Sequence, residues 1–192
     1  MYVLAKIQDN VVIKPHKFTY SLENNLEFEL NSKFTNKIVK NVGLCICFWD
    51  LVDTGKCFIT NGDASISVTV LFRMIVFRPF IDEILVGSVK FCDKAGVHVT
   101  LNFFDDIIIP PEKLRHPSRY DPNLETWIWE YSFEDENADL KIEKNDAIRF
   151  KVVNEIWNDP NPNDEENKKG IAPYIIIGSI VADGLGLTCW WS

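Results

Sequence analysis

The sequence predicts an α+β chain: a small antiparallel sheet with one main helix, followed by a five-stranded β-barrel. Three observations carry this. An apolar residue recurs every four positions only across residues 22–38, most other segments are rich in β-branched residues, and glycine and proline punctuate Gly87–Leu114 as they do a small twisted barrel. Gly87 stands where a strand coils, and Gly96 follows a turn and opens Gly96-Val97-His98-Val99. Pro110 and Pro111 end Asp106–Ile109, because proline cannot donate to a ladder. Barrels of this kind are usually nucleic-acid readers or assembly modules. The same punctuation also fits another antiparallel β-domain with a glycine kink.

Tyr2–Ile13 alternates β-branched residues and reads as a strand that Pro15 ends. Ser21 caps a helix whose stripe of Leu22, Leu26, Leu30, Phe34 and Ile38 spans roughly 18 residues and needs a face to pack on, its own sheet rather than a partner. Asn41-Val42-Gly43 ends the helix and opens a strand over Leu44–Leu51. A short strand near Lys56–Thr60, the turn Asn61-Gly62-Asp63 and a long strand over Ser65–Phe77 follow. A boundary near Arg78–Asp82 then divides the chain into domains 1–80 and 81–192.

In the second domain, Glu83–Phe91, Gly96–Leu101 and Asp106–Ile109 supply strands, and residues 111–125, with Pro111, Pro117 and Pro122, read as a crossover loop. Thr126–Phe133 alternates large aromatics and buries one face, Glu134-Asp135-Glu136 reads as a solvated loop, and Ala147–Val153 and Tyr174–Val181 complete the barrel. Asn158–Gly170 is too polar to pack and is expected to be a mobile insertion.

The totals exclude several function classes. With 46% hydrophobic and 12% aromatic residues in 192, the chain can bury a core and is not a disordered protein. Its apolar runs, around Val68–Phe77 and Tyr174–Val181, are strand-length, and the start lacks a secretory signal's order, so a soluble intracellular protein with no membrane contact is expected. A formal charge of −8 argues against holding nucleic acid alone by neutralising phosphates. The odd number of cysteines, five, reads as free buried thiols. Cys45-x-Cys47 has no matching second pair, and His16, His98 and His116 do not cluster, so core packing is expected rather than zinc. There is no phosphate loop, nucleophile elbow or histidine pair, and Asp105-Asp106 and Asp82-Glu83 are adjacent acids that read as turn residues. No catalytic site, cofactor or metal is expected.

Several unusual strings in order carry a resemblance. Asn36–Val39 runs into Asn41–Cys47; then come Val76-Phe77-Arg78-Pro79-Phe80, Phe103–Glu112, Trp127-Ile128-Trp129-Glu130-Tyr131 and Leu185–Trp191. Across nearly its whole length the chain resembles the family of the larger stalk subunit of eukaryotic RNA polymerase III, which includes its counterpart in archaeal RNA polymerase and the seventh subunit of RNA polymerase II. The resemblance implies an N-terminal ribonucleoprotein-like tip domain and a C-terminal S1-type OB domain. It implies a nuclear, non-catalytic subunit that forms a heterodimer with the small helical stalk subunit, docks near the polymerase clamp and supports initiation.

By that resemblance Asn41, Val42 and Gly43, with Asn61, Gly62 and Asp63, are tip loops facing the core, and Arg78, Pro79 and Phe80 are the interdomain joint. Ordinary turn chemistry and a plain linker explain the same residues. Contact with emerging RNA or with initiation factors is implied for the OB domain. Its two usual aromatic positions hold Ala95 and His98, and Ile109 stands near the usual histidine. His98, Lys90, Lys113 and Arg115 remain as RNA contacts, and Phe103 and Phe104 divide between core and surface. RNA binding is therefore expected to be weak. A free-standing RNA-binding protein of translation or RNA decay is the competing reading; it would favour a basic surface.

Overall fold

The computed structural model describes residues 1–59, 62–133, 136–158 and 172–191. The chain forms two compact units, Met1–Pro79 and Phe80–Ser192. In the first, strands β1 (Tyr2–Ile13), β2 (Lys37–Val39), β3 (Gly43–Ile59) and β4 (Ile66–Phe77) form an antiparallel sheet in the order β1-β4-β3-β2, with helix α1 (Leu22–Phe34) between β1 and β2 in sequence. Alternation along β4 sends Val68, Val70, Phe72, Met74 and Val76 to one face, where all are fully buried. Leu26 and Leu30 of α1 complete that core; each contributes about 1.5–3 kcal/mol by burial. The Ser21 hydroxyl accepts a hydrogen bond from the Asn24 amide at 3.3 Å, as its place before the apolar stripe predicted.

The helix is shorter than its stripe. Thr35 is already extended, and Asn36 adopts φ 59°, donating its amide to the Cys45 carbonyl at 2.8 Å. Ile38 therefore belongs to β2, opposite Leu44, because β-branched Ile38 and Val39 gain a ladder that a further helical turn would forgo. Asn41-Val42-Gly43 accordingly ends β2, not the helix. The two strands expected over 44–60 are one, β3, whose register shifts at four places on β4. Each shift resets the alternation, which is why the sequence reads as two short pieces.

The second unit contains β5 (Ile84–Asp93), β6 (Gly96–Thr100), β7 (Ile107–Ile109), β8 (Ser118–Asp121), β9 (Thr126–Phe133), β10 (Glu136–Ile142), β11 (Ala147–Trp157), β12 (Tyr174–Ser179) and β13 (Gly186–Leu187). The ladder β12-β7-β6-β5-β11 closes through β11–β12 into a five-stranded barrel of OB type, and β13 adds to β11. The single parallel pair among the described strands is β7 with β12. Val89, Val97, Val99, Ile107, Ile109, Phe150, Val152 and Ile176 are buried. Gly96 takes φ +143°, and a Cβ there would lie 2.2 Å from the Ile109 carbonyl oxygen, so glycine lets β6 cross close to the end of β7.

Residues 111–125 are not merely a crossover loop. They hold a 3₁₀ turn, Pro111–Lys113, and β8, which joins β9 and β10 in a separate three-stranded sheet that contains the Trp127–Tyr131 segment. The Trp127 indole anchors that sheet, donating to the Asp93 carbonyl at 2.8 Å and packing on Tyr120. A 3₁₀ turn, Thr188–Trp191, follows β13. Of the expected insertion only Asn158 lies within the described residues; Glu134 and Asp135 lie outside them.

No disulfide joins the cysteines; Cys45 and Cys92 are buried as expected, but Cys57 and Cys189 are exposed, so the expectation of buried thiols fails for these two. Burial pushes the Cys92 thiol up from 9.0 to about 11. The folded chain thus keeps this proton to higher pH than the unfolded chain, so the stabilisation is intact below pH 9.0 and is lost as pH rises to about 11. A urea midpoint measured across that window should fall in the wild type and fall less in Cys92→Ala. Disulfide-exchange labelling at neutral pH should reach Cys57 and Cys189 quickly, and Cys45 and Cys92 only with denaturant.

Candidate functional site

The proposed docking residues occupy two loops. At the β2–β3 turn, Asn41 takes φ 60°, the Val42 amide donates to the Val39 carbonyl at 3.0 Å, and Gly43 takes φ +132°. Arg78 braces this turn by donating to the Asn41 carbonyl at 2.7 Å, and its amide donates to the Met1 carbonyl at 3.0 Å. At the β3–β4 turn, the Asp63 carboxylate accepts from the Ser65 hydroxyl at 2.7 Å and the Ser65 amide at 3.0 Å, which holds its carboxyl below the usual range. Gly62 has open space around it, and Asn61 lies outside the described residues.

Because Leu44 pairs with Phe77 and Ile59 with Ile66, the two turns stand at opposite ends of the twelve-residue β4. They are about 36 Å apart at the usual rise per residue. Arg78 belongs with the first turn; Phe80 lies in the second unit, where its amide donates to the Glu83 carboxylate at 2.9 Å.

The candidate RNA contacts fall into three groups. On the outer face of β5 and β6, His98 stacks on Phe91 at 4.1 Å between centroids and 16° between planes, and its Nε2 lies 3.1 Å from an Asp93 oxygen. Phe91 is 44% exposed and escaped the sequence reading. Strict alternation would place it inward with Val89, but a bulge between Val89 and Phe91 turns it out. Lys90, beside it, donates to Asp105 at 3.0 Å. Asp105 also accepts from the Thr100 hydroxyl, and that bond first and Lys90 second hold its carboxyl below the usual range. Lys90 and His98 therefore each have a carboxylate beside them.

Phe103 is 46% exposed, whereas Phe104 is buried against Tyr174 and belongs to the core. Asp106 is half-buried, and burial first and the Asp105 charge second raise its carboxyl. Lys113 contributes its backbone, its carbonyl accepting from Ile180 at 2.9 Å.

Arg115 is engaged within the chain: its guanidinium lies over the rings of Trp129 and Trp191, 4.9 Å from each, and donates to the Ala182 carbonyl at 2.8 Å and to Asp183 at 3.0 Å. Among the described residues, no group of three or more His, Cys, Asp or Glu is placed to hold a metal, and no helix is long and apolar enough to cross a membrane.

Residues 83–191 match the family model for RNA polymerase III subunit Rpc25, and residues 8–64 match that for the SHS2 domain found in the N terminus of Rpb7p, Rpc25p and MJ0397. The chain is 42% identical to DNA-directed RNA polymerase III subunit RPC8 of Bos taurus, over 100% of the chain and 99% of that protein. It is 35% identical to the subunit of the same name from Schizosaccharomyces pombe, with 100% of each covered. Similarity extends to DNA-directed RNA polymerase subunit Rpo7 of Saccharolobus shibatae, 28% identical over 80% of the chain and 82% of the relative.

Proposed function

Since the chain belongs to the RNA polymerase III subunit Rpc25 family, we propose that it is a non-catalytic stalk subunit of that nuclear polymerase. In this reading it pairs with the small helical stalk subunit, docks on the core near the clamp and supports initiation through contacts with initiation factors. The observation that carries it is the succession of both units: a sheet with one helix where the SHS2 model matches, then the OB-type barrel within the Rpc25 match.

The distance between the two turns divides the docking assignment. The β3–β4 turn of Gly62 and Asp63, with Asn61, is proposed to meet the core. Asn41, Val42 and Gly43, braced by Arg78, stand where β4 hands the chain on through Pro79, and they are proposed as a second contact there. The test is a tagged pull-down from nuclear extract at moderate salt. A small helical partner and the large polymerase III subunits are expected; ribosomes or RNA-decay factors without polymerase would contradict the proposal.

The Phe91–His98 stack supports a weak RNA contact on the barrel, since a flat aromatic platform accepts any base. The neighbouring carboxylates limit it. Asp105→Asn should free Lys90 for a phosphate and strengthen oligouridine binding about threefold, with a steeper salt dependence. Fluorescence anisotropy at two salt concentrations checks this, and unchanged affinity would remove Lys90 from the RNA path.

A further inference from the structure

The tail turn and the outer sheet enclose a hollow of about 470 Å³ that the stalk reading leaves unused. Trp129, Tyr131 and Leu140 come from the sheet, Trp190 and Trp191 from the 3₁₀ turn, and Arg115 from the chain between β7 and β8. Tryptophan, tyrosine and arginine are the side chains that most often anchor protein interfaces.

The walls are pre-set. Trp190 packs on Trp129 at 5.1 Å, and the Trp191 indole donates to the Leu185 carbonyl at 3.1 Å. Gly186 leaves the space that Trp190 fills, since a Cβ there would lie 2.4 Å from its ring. Tyr131 and Trp191 nevertheless remain 37% and 44% exposed. A rigid, partly exposed aromatic wall is a surface on which a ligand loses little to reorganisation.

Chemistry narrows the occupant. The cation position between Trp129 and Trp191 is already filled by Arg115, so a methylated or free ammonium would meet like charge. An acidic or phosphate-bearing ligand is disfavoured as well. Arg115 already donates to Ala182 and Asp183, and no lysine lines the hollow among the described residues. The rim carries the Asp183 carboxylate, whose side chain is 98% exposed. What fits is an apolar extended segment with a basic residue at its end. Proline supplies flat apolar rings on a backbone already extended before binding, as aromatic-lined grooves elsewhere exploit.

We propose that this hollow is a docking site for a proline-bearing, basic-flanked extended segment of a partner protein. The site stands on its own geometry and does not depend on the polymerase assignment.

The test is an NMR titration of the tryptophan indoles of the full chain. The probe is an Ala-Pro repeat peptide ending in arginine, and the control has glycine in place of each proline. Saturable shifts of Trp129, Trp190 and Trp191, with Trp49 unmoved, are expected with the probe and not with the control. Tyr131→Ser should weaken binding about tenfold. Leu140→Glu, which places a charge on the apolar wall, should do the same, and near-UV circular dichroism confirms that each variant is folded. Absent or non-saturating shifts, equal shifts with the glycine control, or undiminished binding by a folded variant would overturn the proposal. So would an oligouridine that moves these indoles when the peptide does not, which would make the hollow a nucleic-acid site.

Discussion

Gly96→Ala should unfold the barrel. A side chain at φ +143° costs about 1–3 kcal/mol in backbone strain alone. Here the added Cβ also falls 2.2 Å from the Ile109 carbonyl oxygen and 2.9 Å from its carbonyl carbon, both main-chain atoms. Relief would require separating β6 from the end of β7, where Val97 pairs with Ile109 and both are fully buried. The expected loss exceeds about 4 kcal/mol, a large part of a domain's usual stability. Gly62→Ala is the control: φ is +113° there, but nothing lies within 4 Å of the added atom. It should cost only the strain, about 1 kcal/mol. Urea unfolding followed by near-UV circular dichroism compares the two, and equal losses would mean that the close approach to Ile109 is unimportant.

Phe72→Ala should have the largest effect in the first unit. The ring is fully buried at the centre of β4, tilted against Phe34 at 5.5 Å and stacked toward Phe48 at 6.5 Å. It therefore joins the helix to two strands. Truncation removes apolar burial and leaves a cavity that a sheet held on both sides cannot close, costing about 3–5 kcal/mol. Phe72→Leu keeps most of the volume and should cost less than about 1.5 kcal/mol. Thermal unfolding of both variants checks this; a loss below about 1 kcal/mol for the alanine variant would show that the core collapses around the gap.

The readable parts of the fold were those where one local rule acted alone. β1 and β4 alternate without interruption, Ser21 stands before an apolar stripe, and Gly96 and Pro110 bracket two barrel strands. The misread parts are those where a tertiary partner overrode a local signal. Ile38 continues the helical spacing but pairs with Leu44, and the shifts along β3 reset an alternation that only the partner strand reveals. Residues 111–125 read as a crossover loop because of their three prolines, yet β8 lies within them and gains its ladder from β9. The same limit governs the surface. His98 was legible as an exposed strand residue, while Phe91 became its stacking partner through a bulge. Arg115 was legible as a cation because charge is visible in sequence, whereas the two indoles that it lies over are distant in the chain.

A role in the polymerase without a part in its chemistry is tested with polymerase III purified without this subunit, assayed on a promoter template with initiation factors and on a preformed elongation bubble. Promoter-dependent transcription should be lost, bubble extension should stay intact, and the first should return when the chain and the proposed helical partner are added together. Equal activity on the promoter with and without the chain, or loss of bubble extension to the same degree, would contradict it.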